Sequence, residues 1–358
     1  MIDFLVIGGG IAGVSAGARL SHHGSVVVLE AEDALGYHAS GRSAAMFEET
    51  YGLPTTVALN RASKDYHASE NGGVLRPRGM MLLGRAASAE AFSRDLVDMA
   101  MEEIGFDQAQ AMVPILKRGA VSRVGYHAEA WDIDTDLLIQ NFAREIRANG
   151  GRIDTRAKVT QIVRTARDWQ VSAGGQVHAA RVLVNAAGAW ADQVGRMAGV
   201  APLGLQPCRR SMARIPAPGG HDVSGWPMLF GPGETWYAKP DAGSLLVSPA
   251  EEDPVAPQDA YADDMVLAEG LARYEANVTE PVTRLQTSWA GLRTFAPDRQ
   301  LVIGKDGGED AFFWCAGQGG YGFQTAPAAS RLLAEAVTGT PSGLPRALGD
   351  ALRPERFS

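Results

Sequence analysis

The sequence predicts a two-domain α/β (α+β) protein that combines a parallel-sheet domain with an antiparallel-sheet domain. An apolar run at residues 3–7 leads through a glycine turn into helix-forming residues 11–23, and a β-branched run follows at 25–30. This order of strand, helix and strand is typical of a parallel βαβ unit. Residues 202–257 are instead rich in proline and glycine, with short strands such as 244–247, which favours an antiparallel sheet.

The end of the chain again has the pattern of strand, glycine turn and helix that opens the parallel-sheet domain. Residues 311–316 form an apolar strand, a second glycine-rich turn follows, and a helix then runs to Val337. The two domains are therefore predicted to interleave along the chain. The first domain is assigned to 1–50, 132–203 and 294–358, and the second to 51–131 and 204–293.

Composition narrows the function classes. The 358 residues are 46% hydrophobic and 21% charged, and the formal net charge of −8 argues against nucleic acid or an anionic membrane as the main partner. Cys208 and Cys315 are the only cysteines, which predicts neither a metal site nor a disulfide framework and fits a reducing compartment. The apolar start lacks a basic flank, so we expect no signal peptide, no membrane span and a cytoplasmic protein.

The first glycine turn matches the dinucleotide-binding fingerprint. Gly8, Gly10 and Gly13 stand between the predicted strand and helix, where free backbone N–H groups can hold a pyrophosphate. Glu30 ends the second strand, 17 residues after Gly13, where a carboxylate can accept hydrogen bonds from ribose hydroxyls. The strand, helix, strand and acid follow in the order that a Rossmann-like domain requires.

The second glycine turn favours FAD over NAD. Gly317, Gly319 and Gly322 repeat the spacing between a strand and a helix. One dinucleotide has a single pyrophosphate, so the second helix N-terminus needs another anionic partner. The negative charge of a reduced flavin ring, near N1 and C2=O, is a suitable one.

Four blocks of sequence resemble the D-amino acid oxidase superfamily of flavoproteins. They are VIGGGIAG from Val6, GRSAA from Gly41, VNAAGAW from Val184 and GQGGYG from Gly317. Further strings resemble the bacterial D-arginine dehydrogenases within that family: GYH before GRS, LQP before RRS, YAKPDAG from Tyr237 and WAGLR ending at Arg293.

The resemblance implies an FAD site that spans both ends of the chain. Neither cysteine lies near Gly291, where covalent relatives attach the flavin, so noncovalent FAD is expected. The implied FAD-binding residues are Gly8, Gly10, Ile11, Ala12, Gly13, Glu30, Gly41, Arg42, Ser43, Ala44, Ala45, Val159, Ala187, Gly188, Trp190, Gly317, Gly319, Gly320, Tyr321, Gly322 and Gln324.

The resemblance also implies a site for an amino acid. Arg210 and Arg293 match the pair that holds the substrate carboxylate, for which two guanidinium groups are well suited. Tyr51 and Tyr237 match tyrosines that bind the same carboxylate and close the pocket. The substrate amine is expected near Gly291 and Gln324.

The sequence departs from the D-arginine dehydrogenases in the pocket for the substrate side chain. Met80 stands where an acid would grip a guanidinium group, Met46 replaces a histidine and Glu48 replaces a threonine. In one interpretation Met46, Met80 and Trp236 form an apolar pocket for aliphatic or aromatic side chains. In the other, Glu48 takes over the role of the acid and basic substrates remain good. The adaptability of methionine favours the first slightly.

The implied activity is the oxidative deamination of D-amino acids to 2-oxo acids and ammonia. A hydride leaves the α-carbon for flavin N5, and the resulting imine hydrolyses in water. Alternatives are oxidation of sarcosine, glycine or a 2-hydroxy acid, a flavin-binding subunit of a multi-subunit amine dehydrogenase, and an NAD-dependent hydroxy acid dehydrogenase. Either oxygen or a quinone could accept the electrons, and a quinone would imply a peripheral membrane location.

Overall fold

The computed structural model describes residues 1–357 and contains three β-sheets and the helices around them. Its strands are β1 (Ile2–Ile7), β2 (Val26–Leu29), β3 (Met46–Phe47), β4 (Leu75–Pro77), β5 (Met80–Gly84), β6 (Glu102–Ile104), β7 (Arg123–His127), β8 (Trp131–Ile133), β9 (Arg152–Asp154), β10 (Val159–Arg164), β11 (Trp169–Ala173), β12 (Gln176–Asn185), β13 (Gln206–Pro216), β14 (Met228–Phe230), β15 (Tyr237–Asp241), β16 (Ser244–Ser248), β17 (Asp253–Pro254), β18 (Thr287–Phe295), β19 (Val302–Lys305) and β20 (Phe312–Ala316). The helices are α1 (Ile11–Leu20), α2 (Pro54–Ser69), α3 (Ala89–Asp98), α4 (Phe106–Met112), α5 (Thr135–Ala148), α6 (Ala191–Met197), α7 (Asp264–Glu275), α8 (Gly322–Thr338) and α9 (Arg346–Leu352).

The first sheet has eight strands and a parallel centre. Its order is β10-β11-β12-β1-β2-β9, and β20 pairs with β12 while β19 pairs with β20. The β1, β2, β9, β12 and β20 pairs are parallel, whereas β10, β11 and β19 join antiparallel at the margins. The predicted βαβ unit is thus present as β1, α1 and β2.

Both faces of this sheet are covered, which explains its continuous apolar strands. Val6 points into a core that contains Phe142 of α5 and Leu333 of α8. The next residue along the chain has the opposite orientation: Leu5 packs with Trp169 and Trp314 in a second core. Helix α8 ends at Gly339, whose φ of +74° is the left-handed conformation that terminates helices.

The second sheet has nine strands and is largely antiparallel. Its order is β17-β13-β16-β15-β14-β5-β7-β6, with β18 paired to β13, and the β5–β14 pair is parallel. Strands β3, β8 and β4 form a third, small sheet. The predicted α/β class with an antiparallel sheet is therefore confirmed, although the proposed domain boundaries stay a prediction. Among residues 1–357, no helix combines the length and apolar character that a membrane span needs.

Candidate active site

A cavity of about 530 Å³ lies between the glycine turns of the first sheet and strands of the second. One end is walled by the segments that follow β1, β2 and β12. The other end is walled by side chains of β13, β15 and β18. The two ends differ in composition, because the first carries the glycine turn after β1 and the second carries Arg210, Tyr237 and Arg293.

The turn after β1 is packed so closely that only glycine fits. Gly8 has a φ of +114°, and a Cβ there would lie 2.3 Å from the carbonyl oxygen of Ala186. A Cβ on Gly13 would lie 1.8 Å from the carbonyl oxygen of Gly8. Within residues 1–357 the amide N–H groups of Ala12 and Gly13 meet no acceptor. The start of α1 therefore presents free donors and the positive end of a helix dipole.

Glu30 lies beside this turn and is held in place by the backbone. It is 8% exposed, and its Oε2 accepts a hydrogen bond of 2.7 Å from the N–H of Gly9. Its Oε1 accepts one of 2.9 Å from the N–H of Glu32. The carboxylate lines the cavity at the end of β2, where it can accept further hydrogen bonds from hydroxyl groups.

The second glycine turn leads into α8 on the other side of the cavity. Gly317 and Gly319 have positive φ values of 71° and 52°. The N–H of Gly319 donates to the carbonyl of Thr294, whereas the N–H groups of Gly320 and Gly322 have no acceptor within the described chain. Both of those residues line the cavity, so the start of α8 can stabilise negative charge.

Arg293 is a cation at the end of the cavity that β13, β15 and β18 wall. Its guanidinium group makes no hydrogen bond or ion pair to any residue in the range 1–357, and it is close to the second glycine turn. A Cβ on Gly320 would lie 2.9 Å from Nη1 of Arg293. Burial disfavours the charge, but Tyr237, Tyr51 and Glu234 together hold the pKa of Arg293 above its ordinary value.

Two tyrosines flank this guanidinium group. Tyr237 lines the cavity and is 7% exposed. Tyr51 donates a hydrogen bond of 2.9 Å from its hydroxyl to Oε2 of Glu234, and its ring packs against Tyr321 at 5.3 Å. Burial and the adjacent carboxylate raise the pKa of Tyr51 well above 10. Tyr51 is therefore a neutral hydrogen-bonding group throughout the ordinary pH range.

Arg210 also lines the cavity, but it already has partners. Its Nε donates to the carbonyl oxygen of Glu251 at 2.8 Å, and its Nη2 lies 3.1 Å from Oε1 of Glu252. Arg210 stands opposite Gly291 in the β13–β18 register, two pairs along from Cys208 and Arg293. The two arginines are thus neighbours on adjacent strands, and only Arg293 is free to bind an anion.

An apolar wall rich in methionine continues from Tyr237. Met80, Met212 and Tyr237 belong to one buried cluster, against which Met46 is packed. Trp236 does not join them, because it precedes Tyr237 on the chain and points to the opposite face of the sheet. Its ring packs against Tyr274 at 5.9 Å in a separate core. The predicted apolar wall therefore lacks Trp236 and includes Met212.

Glu48 is buried next to this wall and is satisfied by its neighbours. It is 3% exposed, accepts a hydrogen bond of 2.9 Å from the Thr50 hydroxyl, and lies 3.5 Å from Nε2 of His127. Its N–H donates to Oε1 of Gln324 at 2.7 Å, so that amide is turned away from the cavity. Burial raises the pKa of the Glu48 carboxyl. Glu48 and Gln324 are both absent from the cavity wall.

Comparison with known families identifies the family of the chain. A sequence model described as "DAO: FAD dependent oxidoreductase" matches residues 3–336. The chain belongs to the DAO family. The resemblance in the glycine turns is thereby confirmed at the level of the family, and FAD is the cofactor.

Individual relatives are distant, and each matches most of this chain. The chain is 23% identical to FAD-dependent oxidoreductase domain-containing protein 1 of Bos taurus, over 94% of this chain and 81% of the relative. It is 28% identical to the bifunctional protein MnmC of Caulobacter sp., over 99% of this chain and 57% of the relative.

The structure resembles L-proline dehydrogenase from P. horikoshii, with a TM-score of 0.83, 20% identity and coverage of 99% of this chain and 97% of that chain. It also resembles glycine oxidase from Geobacillus kaustophilus, with a TM-score of 0.80, 21% identity and 96% coverage of both chains. These likenesses show a shared fold.

The DAO-family chain provides groups that fit FAD. The free N–H groups of α1 suit the pyrophosphate, Glu30 suits a ribose, and the start of α8 suits the electron-rich part of the flavin. Neither cysteine lines the cavity, and burial raises the pKa of Cys315 to about 12. A covalent thioether at either cysteine is therefore disfavoured, and noncovalent FAD stays a prediction.

Most of the expected site residues line the cavity. They are Gly8, Gly10, Ile11, Ala12, Glu30, Arg42, Ser43, Ala44, Val159, Ala187, Gly188, Trp190, Arg210, Tyr237, Gly291, Arg293, Gly319, Gly320 and Gly322. Others support the wall from behind or stand apart from it: Gly13, Gly41, Ala45, Tyr51, Gly317, Tyr321 and Gln324, with Met46, Glu48, Met80 and Trp236 as described above.

Three further residues contribute to the cavity and were not predicted from the sequence. Ser40 accepts a hydrogen bond of 3.0 Å from the N–H of Ile11, and Gly9 positions Glu30. Met212 lines the cavity two residues after Arg210 on the same strand. Strand alternation could have indicated Met212, because residues i and i+2 face the same side.

Proposed function

We propose that this flavoprotein oxidatively deaminates D-amino acids that have an apolar side chain, giving 2-oxo acids and ammonia. The observation that carries the proposal is the unpaired guanidinium group of Arg293 inside the FAD cavity. An arginine that is enclosed without an acid partner is costly unless a ligand supplies the anion. A substrate carboxylate is the anion that best matches its planar donors.

The side chains around Arg293 would then orient the substrate. Tyr237 can donate a hydrogen bond to the same carboxylate, and Tyr51, held by Glu234, encloses it. Fixing the carboxylate next to the second glycine turn places the α-carbon at the flavin end of the cavity, since Gly320 adjoins Arg293. Bound FAD supplies the hydride acceptor. Loss of hydride and a proton converts the neutral amine to an imine, and water then replaces the nitrogen as ammonia.

The choice of an amino acid has independent support. Several structural neighbours are named for an α-amino acid, namely L-proline dehydrogenase, glycine oxidase and L-amino acid deaminase, although another is named L-alpha-glycerophosphate oxidase. Because these names include both L and achiral substrates, they leave the hand of the substrate open. The proposal of the D form rests on the resemblance of residues 237–243 and 289–293 to the D-arginine dehydrogenases.

The proposed apolar preference rests on the wall beyond Tyr237. Met80 and Met212 are buried there, and flexible thioether side chains adapt to aliphatic and aromatic partners. Glu48 is engaged by Thr50 and His127, so a cationic substrate would have to compete with both.

Anaerobic reduction of the bound flavin tests the substrate directly. D-leucine and D-phenylalanine should bleach the flavin faster than their L forms, sarcosine, glycine and lactate. D-leucine should also react faster than D-arginine. Equal bleaching by both enantiomers, or fastest bleaching by the L form, would refute the assignment of hand.

Replacement of the two arginines tests the carboxylate anchor. We expect Arg293→Met to lower kcat/KM by roughly 30-fold to several thousand-fold, since a desolvated carboxylate loses about 2–5 kcal/mol with its charged partner. Arg210→Met should cost only about tenfold, because Glu252 retains Arg299 at 2.7 Å as a partner. Arg181→Met, which removes an exposed ion pair with Asp3, is the matched control. A fully active Arg293→Met enzyme with FAD bound would overturn the proposal.

A further inference from the structure

Lys239 is a buried lysine that the proposed reaction does not use. The chain has five lysines, and this residue alone among them is buried, at 7% exposure. It lies on β15, two residues after Tyr237, so both side chains point to the same face of the sheet. A buried ammonium group is costly to desolvate unless several acceptors surround it. Its surroundings therefore indicate what it holds in place.

The ammonium group binds one side chain and two backbone carbonyls. Nζ lies 2.8 Å from Oδ1 of Asp132 and donates to the carbonyl oxygens of Ala44 and Ala45. Asp132 is also fixed from its other side, because Nε of Arg78 donates to its Oδ2 at 2.8 Å. Lys239 and Asp132 do not contribute to the cavity wall, whereas Ala44 does. The ammonium group thus binds this segment on the side that faces away from the cavity.

The segment from Arg42 to Ala45 has an unusual backbone. Ala45 has a φ of +22°, which is rare for an alanine, and its N–H donates to the Ser43 hydroxyl oxygen at 3.1 Å. The carbonyl of Arg42 accepts from Nε1 of Trp289 at 3.2 Å. The carbonyl of Ala45 also accepts from the N–H of Ile133 at 3.3 Å. Three of the four carbonyl oxygens in the segment therefore have donors outside the cavity.

Two amide donors of the same segment are unused. Ser43 and Ala44 line the cavity, and within residues 1–357 their amide N–H groups have no acceptor. A wall that offers two free N–H donors, and whose Ala44 carbonyl is already engaged by Lys239, favours a partner that gains negative charge. The flavin gains such charge when it is reduced.

We propose that Lys239 is a positioning residue for the flavin: it holds the carbonyls of Ala44 and Ala45 away from the cavity so that the unused N–H groups of Ser43 and Ala44, rather than the Ala44 carbonyl, face the flavin. Without the ammonium group, the carbonyl of Ala44 loses its donor. The strained turn at Ala45 can then relax and expose an acceptor to the ring. The reduced flavin should lose more stability than the oxidised flavin.

The test measures the two-electron midpoint potential of the bound flavin in equilibrium with a reference dye, without substrate. Lys239→Met should bind FAD but favour the reduced form at least about tenfold less, a fall of about 30 mV for a two-electron couple. Flavin reduction by D-leucine should slow by up to about 100-fold, as displacements of 1 Å can cause. Lys305→Met, which removes an exposed ion pair with Asp310, should leave the potential unchanged.

Two further variants keep the proposal open to refutation if Lys239→Met does not fold. Lys239→Arg retains a charged donor and should restore most of the potential. Asp132→Asn removes the charge that anchors Lys239 and should lower the potential in the same direction by less. A wild-type potential in folded Lys239→Met, or in Asp132→Asn when the first variant is insoluble, would overturn the proposal. Since no substrate is present in this measurement, its failure leaves the D-amino acid assignment untouched.

Discussion

The two ends of the FAD cavity offer hydrogen-bond donors to an anion by different means. At the dinucleotide end, backbone N–H groups of consecutive residues do the work, and glycines such as Gly8 and Gly13 allow the approach. At the substrate end, Arg293 of β18 and Tyr237 of β15 meet across a sheet. A short stretch of sequence is enough to specify free backbone donors. Whether a side-chain donor is free depends instead on the residues that surround it in the fold.

The arginines show how strongly the neighbours matter. The resemblance gives Arg210 and Arg293 the same role, as the pair expected to hold the substrate carboxylate, with the stronger support for Arg293. In the structure Arg210 donates to the backbone carbonyl of Glu251 and pairs with the Glu252 carboxylate. Arg293 has no acid partner within residues 1–357. The availability of a charge is therefore a property of its surroundings rather than of its place in a motif.

The largest effect is expected from a methyl group at the dinucleotide end. Gly13→Ala should abolish FAD binding, because the new Cβ would lie 1.8 Å from the backbone oxygen of Gly8 and would force the turn apart. The measurement is the flavin content of the purified protein. Gly105→Ala is the matched control, since no atom lies within 4 Å of its Cβ position. A yellow Gly13→Ala protein with the flavin content of the control would contradict this account of the turn.

This contrast also explains how much the sequence could predict. The turn after β1, the acid at the end of β2 and the turn before α8 were all assigned correctly to elements, because local spacing specifies them. The parallel sheet and its antiparallel partner followed from the same local patterns. The confirmed FAD cofactor depends on this part of the molecule.

The side-chain environment could not be predicted in the same way. Trp236 was expected in the pocket, but strand alternation turns it into the core with Tyr274. No local pattern marks Lys239, since its carbonyl partners at Ala44 and Ala45 lie 195 and 194 residues away along the chain. Helix α2 was also overlooked, because residues 54–69 have weak apolar periodicity and rely on packing against α8.

A histidine behind the second glycine turn should make stability depend on pH. His67 is fully buried on α2, and its Nε2 contacts the carbonyl oxygen of Gln324 at 2.9 Å, near the start of α8. Burial lowers the pKa of His67 from 6.5 to about 4, so the folded state resists protonation more than the unfolded chain does. As pH falls through 6.5 towards 4, the free energy of unfolding should decrease by about 3 kcal/mol.

Denaturant unfolding of wild type and His67→Gln between pH 7 and pH 4 checks this expectation. Glutamine keeps a donor for the Gln324 carbonyl but does not titrate, so the difference between the two proteins should shrink or reverse as the pH falls. His23→Gln alters an exposed histidine and should follow the wild type throughout. Parallel curves for wild type and His67→Gln would show that His67 does not titrate in this window.

The smallest effect is expected at Glu48, where the two interpretations of the side-chain pocket differ. Because Thr50 and His127 already satisfy this buried carboxylate, Glu48→Gln should change kcat/KM for D-leucine and D-arginine by less than about threefold. Burial raises the pKa of Glu48, so its charge lowers stability as pH rises above 4.5, and the variant should be at least as stable at pH 7. Glu49→Gln, which alters a more exposed carboxylate paired with Lys64, is the matched control. A selective loss of D-arginine activity in Glu48→Gln would instead identify Glu48 as the acid that grips a cationic side chain.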